Sequence, residues 1–257
     1  MHNQLLGATQ PVLSIALEPG ESIVAGAGGF AWMTESIGMS AGHEGLEPGS
    51  ALHRTLSASS LQLSVYTARE VAGTIAFASK LPGSIVGIDL APGVEYLVHR
   101  RGFVACTPGI EVTTGYQQPY AAAADEEEFM LRRIAGHGRA WVELAGDVVR
   151  WELAAGASLR TRPWHIGMSD GSVAVQIAEI RDIHAADLDG GDMGHDASRF
   201  AVLSGPGAVW LQSTSLLASP RAQFGAFRPA PARVPAPEGG AGARTGNQPA
   251  IEVSNHE

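Results

Sequence analysis

The sequence predicts an all-β protein. Residues 1–219 are expected to form a pseudo-three-fold β-sandwich or double-stranded β-helix-like domain of three internal repeats, and residues 220–257 a disordered tail. Three observations carry this reading. A leucine-and-turn phrase occurs three times, at Leu17-Glu18-Pro19-Gly20, Leu90-Ala91-Pro92-Gly93 and Leu153-Ala154-Ala155-Gly156. Thirteen residues after each leucine stands a large apolar residue: Phe30, Phe103 and Ile166. A glycine–aromatic phrase also occurs three times, beginning at Gly73, Gly138 and Gly207, so that successive copies lie 65 and 69 residues apart. Self-similarity at a near-constant period is the signature of a repeated structural unit.

Each element follows from local patterning. Leu13, Ile15 and Leu17 alternate with Ser14 and Ala16, Val86, Ile88 and Leu90 with Gly87 and Asp89, and Val149, Trp151 and Leu153 with Arg150 and Glu152. Period-two alternation is the pattern of a half-buried strand. The turn that follows uses proline to preset φ and glycine to accept positive φ. A strand resumes over residues 21–25, Gly26-Ala27-Gly28-Gly29 interrupts it, and Phe30 to Met33 continues it. Thr34 to Gly49 is polar and Gly-rich and reads as a long loop, and Leu61 to Thr67 as a strand. Gly73 to Ser79 and Ser84 to Leu90 flank Lys80-Leu81-Pro82-Gly83 as the arms of a hairpin would. Residues 95–99 and 102–106 are short strands. Ala121 to Arg133 opens with helix-forming alanines and glutamates, but the spacing of Phe129, Leu131 and Ile134 places a strand from Glu128. Strands are further expected over 140–144, 148–153, 172–180, 200–203 and 208–213, with a loop over 184–198. The order of the phrases makes two hairpins, 74–79 with 84–90 and 139–144 with 148–153. It leaves Ala208 to Ser213 to close the domain antiparallel to Val12 to Leu17. Many short strands with Gly/Pro turns suit a sandwich or barrel.

Composition narrows the class. With 257 residues, 45% of them hydrophobic, the chain can bury a substantial core. Its net charge of −9 disfavours nucleic acid and anionic membranes, which need clustered Lys and Arg. Cys106 is the only cysteine, so no internal disulfide and no cysteine-rich zinc site can form. The N-terminus lacks the basic-then-apolar pattern of a signal peptide, and no stretch has the length of a transmembrane segment. A cytoplasmic protein is expected. Pro220 to Glu257 is rich in Pro, Ala and Gly and poor in core-forming residues, the composition of a disordered tail.

In chain order stand Leu17 to Ser22, the Gly-rich Phe/Trp stretch Gly28 to Met33, Leu81-Pro82-Gly83-Ser84-Ile85, Gly136-His137-Gly138 and Ser204-Gly205-Pro206-Gly207. This series resembles the altered-inheritance-of-mitochondria family, found in bacteria and mitochondria, over roughly residues 8 to 218. The resemblance implies an all-β, three-fold pseudo-symmetric fold like that of the trp RNA-binding attenuation protein. It implies a largely unknown biochemical activity, with mitochondrial members associated with inner-membrane organisation. Two departures stand out: His137 occupies the centre of the Gly-x-Gly phrase, and the third leucine phrase lacks its proline.

Residues able to carry chemistry are few. Gly26-Ala27-Gly28-Gly29 lacks the third glycine of a dinucleotide loop, since Ala31 stands there, and precedes a strand. No nucleophile elbow is expected. Cys106 lies among Phe103, Val104 and Ala105 and reads as a buried structural thiol. His99, His137 and His165 fall at turns or strand ends without metal-ligand spacing. His184, Asp187, Asp189, Asp192, His195 and Asp196 form the richest polar cluster. An EF-hand loop begun at Asp187 would have Asp192 where glycine is wanted and Ser198 where glutamate is wanted, so a solvated acidic loop is the better reading. Arg100-Arg101-Gly102-Phe103 is a weak nucleic-acid signal in an acidic chain. No catalytic, cofactor-binding or metal-ligating residue is assigned. The expected function is a non-enzymatic scaffold or interaction protein with protein partners or self-association. The alternatives are a cupin-like metal-assisted enzyme and, resting on fold analogy alone, a nucleic-acid-binding β-domain.

Deleting residues 220–257 should leave the melting temperature within about 2 °C, since exposed changes cost under ~0.5 kcal/mol. Differential scanning calorimetry checks this, and a fall of about 10 °C would mean that Phe224 or Phe227 is buried.

Overall fold

The leucine phrases build the same corner three times. In the computed structural model, which describes residues 1–27, 29–42, 46–118, 129–179 and 199–214, they end strands β2 (Val12–Leu17), β8 (Gly83–Leu90) and β14 (Val148–Leu153). Gly20, Gly93 and Gly156 have φ of 84, 85 and 79°. The turn closes by Glu21 N→Glu18 O at 2.9 Å, Val94 N→Ala91 O at 2.9 Å and Ala157 N→Ala154 O at 3.0 Å. This is the type II pattern, in which glycine supplies the positive φ; alanine replaces proline in the third copy without changing the corner. The chain then enters β3 (Ser22–Gly26), β9 (Glu95–His99) and β15 (Ser158–Thr161).

The glycine–aromatic phrases form β7 (Gly73–Ala78), β13 (Gly138–Ala145) and β19 (Gly207–Gln212). Each pairs antiparallel with the preceding leucine strand: β2 with β7, β8 with β13, β14 with β19. The register places leucine opposite glycine each time: Leu17↔Gly73, Leu90↔Gly138 and Leu153↔Gly207. The hairpins expected from the sequence, 74–79 with 84–90 and 139–144 with 148–153, do not form. Nor does strand 208–213 lie beside 12–17; β19 sits between β14 and β16 (Ile166–Asp170). The links 79–82 and 146–147 are corners between sheets, and their polar groups bond to the strand beyond. Glu143 Oε1 accepts from Ser79 Oγ at 2.9 Å, Lys80 N at 2.7 Å and Leu81 N at 2.9 Å. At the second corner Ala145 N donates to Gln212 Oε1 at 3.1 Å and Asp147 N to Ser213 Oγ at 2.8 Å.

The remaining strands are β1 (His2–Leu6), β4 (Trp32–Met33), β5 (Ile37–Ala41), β6 (Leu63–Ala68), β10 (Phe103–Cys106), β11 (Ile110–Gln118), β12 (Phe129–Gly136), β17 (Ala174–Glu179) and β18 (Arg199–Ser204). Four sheets result, in the orders β1-β2-β7-β4, β5-β6-β3-β10-β13-β8, β11-β12-β9-β16-β19-β14 and β15-β18-β17. One apolar cluster joins the first sheet to the second, through Leu13, Ile15, Ile75, Phe77, Ile23, Tyr66 and Trp141. Another joins the second to the third through Val24, Val65, Val142, Ile134 and Met168. A third joins the third to the fourth through Leu131, Ile166, Val209, Ala201 and Leu203. The central strands of the six-stranded sheets are therefore covered on both faces. That is why Ile23-Val24-Ala25 and Ala140 to Ala145 are buried without alternation.

The expected loop 34–49 contains β5, whose Ile37 is buried against Tyr66 and Ala68. Helix α1 (Ala51–Ala58) was not foreseen, although Ser50 caps it by accepting from His53 N at 3.2 Å and Leu52 and Leu56 recur at helical spacing. The helix signal at 121–127, the loop 184–198 and the tail from 220 lie outside the described residues.

Glu143→Ala should lower stability by about 2–4 kcal/mol, because two backbone N–H groups and a hydroxyl lose a buried charged acceptor. Glu143→Gln, which keeps the Oε1 acceptor, should lose less than half of that. Urea midpoints of the two variants check the difference.

Candidate functional site

Among the described residues, the one thiol and the most buried imidazole are sequestered. Cys106 is fully buried, and burial raises its thiol far above the ordinary range. A reactive cysteine needs the opposite environment. His99 is 1% exposed at the end of β9. Its Nδ1 accepts from Arg101 N at 3.3 Å, which assigns the proton of the neutral ring to Nε2, and Nε2 has no hydrogen-bond partner among the described residues. The ring stands edge-on to Trp164, centroids 6.1 Å apart, and Trp164 stands edge-on to Phe129 at 5.7 Å. Burial first, then the positive charges of Arg100 and Arg101, push the imidazole down to about 3. Such a group is a poor base at neutral pH.

His137 and His165 make contacts of their own. His137 is exposed in its glycine turn, where its backbone N–H donates to Gly109 O at 3.1 Å. His165 is half-buried, with Nδ1 at 2.7 Å from Gln212 O. Among the described residues no three His, Cys, Asp or Glu side chains converge to hold a metal ion. The cluster from His184 to Asp196 lies outside those residues. Arg100 and Arg101 occupy the turn after β9, but Phe103 is buried and offers no face for a base to stack on.

Gly-x-Ser-x-Gly occurs twice, a signal the sequence reading missed: Gly38-Met39-Ser40-Ala41-Gly42 and Gly167-Met168-Ser169-Asp170-Gly171. Neither is an elbow. Ser40 lies within β5 and Ser169 within β16, with no strand-to-helix turn at either, and Ser169 is wholly buried. Gly26 and Gly29 precede β4, not a helix, and Gly29 N donates back to Gly26 O at 2.9 Å. A shallow cleft of about 130 Å³ lies beside them, lined by Gly26, Ala27, Lys80, Phe103 and Glu143. The carboxylate there already holds the first corner through Oε1, and Lys80 is the one other titratable side chain among the lining residues.

What the described surface does present is apolar side chains on strand edges. Trp32 is 55% exposed, and Val149 and Trp151 on β14 are 55% and 50% exposed. Among the described residues β14 is the last strand of its sheet. No helix among them is long and apolar enough to cross a membrane.

The sequence model of a family described as "Mitochondrial biogenesis AIM24" matches residues 3–214. The crystal structure of protein SPYM3_0169 from Streptococcus pyogenes is similar in fold, with a TM-score of 0.63 and 17% identity over 88% of this chain and 96% of that one. No curated protein matches the chain.

Because His99 is neutral when folded and titrates near its ordinary value of 6.5 when unfolded, the unfolded chain binds the extra proton first. Stability should be flat above pH ~6.5 and fall as pH drops toward 3, by about 2 kcal/mol already at pH ~5. Urea unfolding at pH ~7.5 and ~5 measures it. His99→Phe should remove that part of the acid dependence, whereas an unchanged slope would place the titration elsewhere.

Proposed function

The chain belongs to the AIM24 family, and from that membership we propose that it is a non-enzymatic scaffold or interaction protein of the cytoplasm, with protein partners or self-association in place of a substrate. The family is associated with mitochondrial biogenesis. One observation carries the reading: the fold spends its reactive groups on its own architecture. Glu143 is the acceptor for a corner, His99 is a neutral ring among aromatics, and Cys106 is a core residue. The strand edges, by contrast, keep tryptophan and valine at the surface. Exposed apolar groups of this size favour recognition of another protein surface. The net charge of −9 favours the same reading over nucleic acid. We read the three strand pairs, alike in turn glycine and in leucine–glycine register, as three copies of one unit, which suits a rigid platform.

Elemental analysis of untagged protein after dialysis against chelator discriminates this from a cupin-like enzyme. Well under one equivalent of zinc, iron or manganese is expected; a full equivalent would overturn the reading. Affinity capture with the full chain, with and without residues 220–257, then identifies what it holds.

A further inference from the structure

The geometry points to a symmetric dimer in which β14 of one copy pairs antiparallel with β14 of a second, joining two six-stranded sheets into one. This names a partner for the interaction reading above and rests on it. The argument begins with the three leucine strands, which share a register toward their glycine partners but differ on the other side. β2 is covered by β1, in the register Leu5↔Leu13 and Asn3↔Ile15. β8 is an edge among the described residues, but it is interrupted by Gly87 and carries exposed Asp89, while its Ile85 and Ile88 point into core clusters. Charge and missing side chains are the usual protection of an edge. β14 is also an edge among the described residues, yet it has no glycine, proline or irregular pairing along its register with β19.

The side chains of β14 complete the case. Val149 and Trp151 share a face with Leu211 and Val209, which stand opposite them on β19. Leu13 and Ile15, at the matching positions of β2, are 0% exposed, whereas Val149 and Trp151 are 55% and 50% exposed. The other face of β14 carries Arg150 and Glu152, which pair with each other, and Arg150 lies 5.2 Å over the Trp210 ring.

A two-fold axis through Trp151 matches this strand to itself. Trp151 then meets Trp151 of the second copy, and Val149 meets Leu153. On the opposite face Arg150 meets Glu152, twice. Opposite charges directly across a strand pair are favourable and like charges are not. A mixed-sign edge therefore selects the antiparallel register that an edge of one sign would refuse. An interface of this kind is isologous, so it closes at two copies and does not grow into a filament.

Sedimentation equilibrium of the full chain tests the proposal. The unaltered protein should sediment at twice the chain mass in the micromolar range. Arg150→Glu sets two carboxylates across from each other at each end of the strand pair, and Glu152→Arg sets two guanidinium groups there. Each should weaken the dimer about tenfold or more while leaving the circular dichroism of the folded chain unchanged, since both positions are exposed. The double variant R150E/E152R restores opposite charges and should return to within about threefold of the original dissociation constant. A protein monomeric at all concentrations, or a dimer indifferent to R150E, would overturn the dimer. A metal-loaded or catalytically active protein would overturn the interaction reading instead, so the two failures are distinguishable.

Discussion

A strand that leaves one sheet and enters the next within a few residues takes its backbone out of both ladders. The N–H groups at the corner must find acceptors, because a buried unpaired donor costs about as much as a hydrogen bond contributes, or more. Here the acceptors come from the strand beyond. Glu143 holds the corner from β7 to β8, and Gln212 holds the corner from β13 to β14. The two residues occupy the same place in their strands, five positions after Gly138 and Gly207. Ala78 stands at that place in β7. Gln212 also donates through Nε2 to Trp164 O at 3.0 Å, so one amide ties a corner to the short helix that leads into β16.

Once the corners are held, the layering follows. Each leucine strand pairs with the next glycine strand, and the six-stranded sheets are completed through β3 with β10 and β9 with β16. The strands at the middle of these sheets have no free face left, so β3, β6 and β13 carry runs of successive buried residues, Ser64 and Glu143 among them. The requirement extends to the residues that looked chemically promising. Cys106 and His99 lie at the ends of β10 and β9, where the chain crosses between the two six-stranded sheets. A side chain in that position is dehydrated by the architecture itself, and dehydration shifts both groups toward their neutral forms. The burial that stabilises the fold thus keeps this thiol and this imidazole neutral.

Local chemistry was legible in the sequence, and connectivity was not. The turn after each leucine could be read because glycine and proline act on their own φ, and the strands could be read from alternation. The hairpin reading failed because a four-residue or two-residue link looks the same whether it reverses the chain within a sheet or carries it to another. What decides between them is Glu143, more than sixty residues from the first corner and silent in any local window. β5 was hidden in a Gly-rich segment whose only strong core contribution is Ile37, and α1 by its mixture of Ser, Thr and His. The two Gly-x-Ser-x-Gly segments show the opposite hazard. The pattern is present, but the serines lie on strands in β5 and β16, where the motif has no mechanical meaning. His184 to Asp196, the richest polar cluster of the sequence, lie outside the described residues.

The three leucine strands also show how one backbone solution can serve unlike purposes. Their inner edges share one register, leucine facing glycine each time. Their outer edges differ. One is filled by β1, and one is made unattractive by glycine and aspartate. On the third, apolar residues at the register of a core strand sit in water, and the charges between them are of both signs. A sheet edge is costly to leave open because its backbone can pair with any extended chain. Among the described residues two of the three matching edges are protected by different devices, and the third carries side chains for which those residues give no reason. The pairing of β14 with a second copy supplies one for Trp151, which it sets against its own counterpart across the two-fold axis.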